Sequence, residues 1–101
     1  MKGNELVRIE WDPVKAAKNF KKHRVSFELA TTVFDDPFAL SIPDQYLHAE
    51  ERWITLGVTI NQTMIVVVHT EICIFQGMET IRIISARKAT SKERRWYEKG
   101  I

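Results

Sequence analysis

Cysteine is almost missing from this 101-residue sequence. With Cys73 alone no internal disulfide can form, which points to a reducing compartment, and a thiol between Ile72 and Ile74 suits a small buried hydrophobe. Long apolar runs are missing too. The opening "MKGNELVRIEW" has no signal-peptide core, and nothing approaches the roughly 20 apolar residues of a spanning helix. A soluble cytoplasmic protein with no membrane attachment is expected. No glycine-rich phosphate loop, nucleophile elbow or cysteine pair occurs, so nucleotide hydrolysis and acyl transfer find no support. One cysteine and three scattered histidines offer no ligand pair at a known zinc spacing, and no metal or other cofactor is expected. Internal repeats and low-complexity segments are also lacking.

Charge of one sign is lacking only on average. Fifteen Lys and Arg against thirteen Asp and Glu leave a net charge of +2, too mild to announce nucleic-acid binding. The distribution is less even. Asp35, Asp36, Asp44, Glu50 and Glu51 form an acidic stretch that meets only Arg52 at its edge. Lys15, Lys18, Lys21, Lys22 and Arg24 form one basic group, and Arg82, Arg87, Lys88, Lys92, Arg94, Arg95 and Lys99 form another. If folding joins the two basic groups, the molecule has one positive side.

The length fits one domain over residues 1–101, and 45% hydrophobic content supplies its core. "LVRIEW" alternates, with Val7, Ile9 and Trp11 on one face, and predicts a strand. Asp12-Pro13 caps a helix in which Val14, Ala16, Ala17 and Phe20 face the core, while Lys15, Lys18 and Lys22 line another side. Ser26 caps a second, short helix whose Phe27, Ala30, Thr31 and Phe34 point inward, and Asp35-Asp36-Pro37 ends it. "FALSI" predicts a strand and "PDQYLHAE" a polar loop. "RWITLGVT", "MIVVVHTEI" and "TIRIISA" predict three strands joined by "INQT" and "CIFQGME", links short enough to favour antiparallel pairing. Thr90 and Glu93 have capping-box spacing for a last helix that Gly100 closes.

The chemistry concentrates where the last strand meets that helix. Strict alternation points Arg82 and Ile84 one way and Ile81, Ile83 and Ser85 the other, while Arg87 follows at the strand's end. A lone surface arginine is ordinarily an ion-pair partner of little energetic weight. A cluster differs, because guanidinium forks match phosphate oxygens and preorganised cations stabilise the charge that gathers on phosphorus when an RNA 2′-hydroxyl attacks. Arg52 opens a strand expected in the same sheet as Arg82, although Glu51 and Arg52 also read as an exposed pair. For proton transfer, His23 ends the basic helix, where a histidine ordinarily serves only the helix dipole. His69 shares a strand face with Glu71 and reads equally well as a satisfied structural residue. His48, in the acidic loop, carries no signal. Tyr97 shares a helix side with Glu93 and Arg94, and Trp96 is expected to anchor the helix by packing.

Three blocks, "WDPVKAAKNFKKHRVSFELATTVFDDP", "ERWITLGVT" and "RIISARKATSKERRWYE", resemble the BrnT family in order, from Trp11 to Tyr97. The resemblance implies a toxin of a bacterial type II toxin–antitoxin pair with a RelE-like ribonuclease fold. That fold is α+β: a mostly antiparallel twisted sheet, two N-terminal helices on one face and a short C-terminal helix. It implies endonucleolytic RNA cleavage that inhibits translation. It also implies neutralisation by a BrnA-type antitoxin with a ribbon-helix-helix domain, in a hetero-oligomer that meets DNA only through the antitoxin. The resemblance further implies that Lys22, His23, Arg52, Arg82, Arg87 and Arg94 are the matching functional candidates. The expectation is metal-independent cleavage in which Arg52 and Arg87 bind the phosphate and His23 or His69 moves protons. Lys22, Arg82 and Arg94 would bind the RNA backbone. The alternative is a basic binding module that docks antitoxin or RNA without cleavage. The family commonly has glycine after "KH". Arg24 in that place either adopts a left-handed conformation or ends the helix in another way.

Overall fold

The computed structural model describes residues 6–45, 51–70, 73–75 and 77–100. β1 (Leu6–Glu10) is followed by α1 (Pro13–His23), α2 (Phe27–Ala30), a 3-10 turn over Thr31–Asp35 and β2 (Leu40–Pro43). Then come β3 (Arg52–Val58), β4 (Met64–Thr70), the short β5 (Cys73–Phe75), β6 (Met78–Lys88) and α3 (Ser91–Lys99). The sheet runs β1-β6-β4-β3-β2, with β5 also paired to β6. Among these strands every pairing is antiparallel except β1 with β6, so the sheet is mixed and the fold is α+β. The parallel pair joins strands separated by most of the chain, which no hairpin constrains. No helix among the described residues is long and apolar enough to cross a membrane. His48, Glu71 and the Cys73 side chain lie outside the description, and so do the expectations placed on them.

The helix ends follow their caps. Asp12 accepts from the Val14 amide at 2.8 Å, and Ser26 accepts from Leu29 at 3.0 Å. Thr90 and Glu93 exchange both capping-box bonds, at 3.2 and 2.8 Å, and Gly100 closes α3 with φ 73°. Arg24 resolves its two alternatives by taking the left-handed conformation itself, at φ 60°. Its amide donates to Phe20 O at 2.8 Å, and its guanidinium lies 5.6 Å from the Phe20 ring centroid, an interaction that offsets part of the backbone cost.

Two apolar clusters divide the sheet's faces. On one, Val25, Phe27, Ala30 and Val33 pack with Ile65, Val67, Ile83 and Ala86, joined by Ile9, Trp11 and Phe34. On the other, Tyr97 of α3 packs with Leu56, Met64 and Val66. Gly57 is required beside the first cluster: it opposes Ile65, and a Cβ there would lie 2.6 Å from Val33 Cγ2.

Several expectations need correction. Val14, Ala17 and Phe20 are exposed, and the inward stripe of α1 is Ala16 with buried Asn19. The helix is rotated because the Asn19 amide reaches backbone: it donates to Val25 O at 3.1 Å and Ala86 O at 2.8 Å, and accepts from Ala86 N at 3.2 Å. At Ala86 the outer edge of β6 has passed the end of β1, so one side chain substitutes for a strand. Trp96 is 43% exposed, and Tyr97 is the residue that anchors α3. The first strand after the helices begins only at Leu40, because Asp36 holds the Phe38 amide in a turn. β5 falls inside what reads in sequence as a plain link.

Candidate functional site

Residues directly opposite in an antiparallel pair share a face. Arg52 opposes Thr70 and Val66 opposes Arg87, and Thr70 and Val66 lie four apart on β4, so Arg52 and Arg87 project from one face. Arg82 joins them. It neighbours Ile81 and Ile83, both buried on the opposite face, and its amide donates to Thr70 Oγ1 at 3.0 Å. Arg82 and Arg87 would fall on opposite faces under strict alternation. A register shift between Val68 and His69 leaves Ile84 as an extra residue, which returns Ser85 and Arg87 to the face of Arg82. Ser85 therefore does not share the face of Ile83, contrary to the alternation read from sequence.

Glu10, Arg82, Thr70 and Arg52 form a row across β1, β6, β4 and β3. Arg52 and Arg82 are thus about 10 Å apart at the backbone, and Arg87 lies roughly 15 Å further along β6. All three are half-buried.

Arg87 is held at the joint with α3. Its Nη1 and Nη2 donate to Glu93 Oε1 and Oε2 at 2.9 and 2.8 Å, and Nη1 also reaches Lys88 O at 3.3 Å. This bidentate pair, helped by the Thr90 amide, pulls the Glu93 carboxyl down to about 2 against burial, and Glu93 raises the Arg87 guanidinium further. Tyr97 fixes the other end of α3 by donating to Asp36 Oδ2 at 2.7 Å. Burial and that bond push the Tyr97 hydroxyl up to about 12. Burial would raise the Asp36 carboxyl, but the Tyr97 hydroxyl and the Val58 and Phe38 amides hold it below its usual value.

The remaining expected residues are spread more widely. Lys22 is exposed and His23 half-buried at the end of α1. Asn19 stitches that helix end to Ala86, the neighbour of Arg87, so the Lys22–His23 segment lies beside the β6 edge rather than on the arginine face. Arg94 is exposed on α3 in the turn that carries Glu93.

His69 faces the helix-covered side, buried, with Phe34 edge-on at 5.0 Å. Its Nδ1 donates to Thr70 O at 2.8 Å, which leaves Nε2 as the acceptor from Thr55 at 2.6 Å, and Thr55 in turn accepts from Ser41 at 2.7 Å. Burial lowers the His69 pKa. The structure therefore places Arg52, Arg82 and Arg87 on one face and separates His69 from them by the thickness of the sheet. No group of three His, Cys, Asp or Glu residues able to share a metal ion occurs among the described residues.

Sequence reasoning missed Asn19 and the second role of Glu93. The available signals were a lone asparagine within the small and apolar stripe of α1, and an arginine placed shortly before a capping-box glutamate.

Comparison with known proteins agrees with this architecture. No curated protein matches the chain. The crystal structure of the Brucella abortus ribonuclease toxin BrnT is similar with a TM-score of 0.55 and 23% identity, over 85% of this chain and 99% of that one, and so supports the fold. The family model for the ribonuclease toxin BrnT of type II toxin–antitoxin systems matches residues 11–93, a span holding Arg52, Arg82 and Arg87. The chain belongs to the BrnT family of ribonuclease toxins.

Proposed function

We propose that this protein is a metal-independent endoribonuclease that inhibits translation in the cytoplasm, with the RelE-type kinship its resemblance implies. The observation that carries the reading is the common face of Arg52, Arg82 and Arg87, made common by the extra residue in β6. In this reading Arg52 and Arg82 at one end and Arg87 at the other bracket an RNA strand whose scissile phosphate lies between them. Attack by the 2′-hydroxyl raises negative charge on the phosphate oxygens, and fixed guanidinium groups stabilise that state more than the starting diester. Lys22 and Arg94 guide the backbone from the margins. His23 is the remaining candidate for proton transfer, because both ring nitrogens of His69 are engaged in structural bonds.

A type II toxin has a protein antitoxin as partner. We take that partner to be a BrnA-type ribbon-helix-helix protein, through which alone the complex meets DNA. Beside Arg87 on the same face lies a largely apolar groove of about 340 Å³ lined by Leu40, Ile42, Ile54, Leu56, Val66 and Trp96, with Glu93, the partner of Arg87, also in its wall. An antitoxin segment with apolar anchors for this groove and acidic residues for its basic rim would cover part of the arginine face.

Incubation of the purified protein with RNA in EDTA tests the catalytic reading. Cleavage with 2′,3′-cyclic phosphate ends is expected. Loss of all cleavage on chelation would overturn the metal-free mechanism, and RNA binding without turnover would favour the binding module.

A further inference from the structure

The Arg87–Glu93 pair leaves part of a guanidinium unspent. An arginine has five N–H donors. Glu93 takes one from each terminal nitrogen, across the end of the group, and Lys88 O takes the second hydrogen of Nη1. What remains is the Nε hydrogen and the outer hydrogen of Nη2, which lie side by side on one edge. They form a second fork with the same parallel geometry as the first. The Arg87 side chain is 41% exposed and that of Glu93 only 16%, so solvent reaches the arginine more than the carboxylate that holds it.

We propose that Glu93 is a positioning residue for Arg87: it occupies one edge of the guanidinium so that the other edge is held out as a fork for the oxygens of an RNA phosphate. The identity of the anion rests on the ribonuclease reading above; the fork itself does not.

Glu93 is suited to the task because three bonds fix it. Its Oε1 also accepts from the Thr90 amide in the capping box of α3, so the carboxylate is part of a helix end rather than a swinging side chain. Its depressed pKa keeps it charged at any working pH. Two effects of the carboxylate oppose each other. Its charge repels an approaching phosphate, and its hold removes the rotamer freedom that Arg87 would otherwise lose on binding. For a site that must place donors within a fraction of an ångström of a reacting group, the hold outweighs the repulsion.

The test uses an oligoribonucleotide with 2′-O-methyl groups, which binds but lacks the attacking hydroxyl, and follows the Arg87 Nε–H resonance by NMR. In the wild-type protein this resonance should shift on titration. Glu93→Gln keeps an acceptor for the Thr90 amide but cannot receive both arms of Arg87, and should weaken binding by about tenfold or more. Thr90→Ala removes the helix cap from the other side. It should lower the melting temperature while leaving affinity near the wild-type value. In an Arg87→Ala background, Glu93→Gln should add no further loss.

Tighter or unchanged binding by Glu93→Gln, equal weakening by Thr90→Ala, or a wild-type Nε–H that ignores the oligomer would each overturn the proposal. Cleavage of ordinary RNA by the same proteins is a separate measurement. A wild-type protein that binds through Arg87 yet cuts nothing defeats the ribonuclease reading alone.

Discussion

Arg82 and Arg87 stand five residues apart on one strand, an odd interval, yet project from the same face of the sheet because Ile84 is an extra residue in the pairing of β6 with β4. A β-bulge commonly re-aims a side chain in this way. Here it converts one arginine on each face into two on the same face.

That geometry separates neighbours in sequence. Lys88 opposes Ile65 and belongs to the other face. Arg82→Ala and Arg87→Ala should each lower affinity for single-stranded RNA and reduce the slope of log K against log salt by about 0.7 for each phosphate no longer neutralised. Lys88→Ala should leave the slope unchanged. Equal effects from all three would mean that general charge, not a face, binds the RNA.

Asn19 does the work of a strand at an open edge, serving both backbone groups of Ala86. Asn19→Leu fills similar space but strands these groups without partners, and should cost about 2 to 4 kcal/mol in urea unfolding. Because Asn19 also fixes the end of α1 beside Ala86, the variant should lose RNA cleavage in the range where it remains folded. Full turnover in a folded Asn19→Leu protein would show that the Lys22–His23 end of the helix is not needed at the site.

His69 reports on the core. Burial lowers its folded pKa below the ordinary 6.5, so as the pH falls the unfolded chain takes up a proton before the native ring does. Its contribution to stability is complete above about pH 6.5 and declines as the pH drops toward the folded value. Replacing His69 with glutamine should remove that part of the pH dependence, measured by unfolding at a series of pH values. His69→Ala should destabilise by about 2 to 4 kcal/mol through a cavity and the loss of the Thr55 hydrogen bond to the ring.

Arg24 combines a left-handed backbone with a cation resting on the Phe20 ring. Arg24→Ala gives up the ring interaction and keeps the strain; Arg24→Gly gives up the same interaction and relieves the strain. The glycine variant should therefore be more stable than the alanine variant by about 1 kcal/mol in thermal unfolding. The reverse order would place the end of α1 in another conformation.

Much of the fold was legible in local chemistry. Asp12, Ser26, the Thr90–Glu93 box and Gly100 each mark a helix end that the structure keeps, and the apolar alternation of β3 and β4 marks their strands. What sequence could not show were the long-range terms. The parallel pairing of β1, the rotation of α1 set by a bond from Asn19 to residue 86, and the shift at Val68/His69 all depend on partners far along the chain. For the candidate site the arginines were visible as residue types, but their common face was not, since local alternation gives the opposite answer for Arg82 and Arg87. His69 looked as suitable for catalysis as for structure until the sheet showed which side it occupies.

The proposed cleavage depends on one guanidinium face that stabilises charge on a scissile phosphate. The most direct measurement is single-turnover cleavage of RNA in EDTA by the wild type, Arg52→Ala and Arg82→Ala, with RNA affinity measured on the same proteins. Cyclic-phosphate products are expected from the wild type, with a fall in cleavage rate of about 100-fold in each variant and a much smaller loss of affinity. Variants that lose affinity and rate in equal proportion, or cut at the wild-type rate, would contradict it.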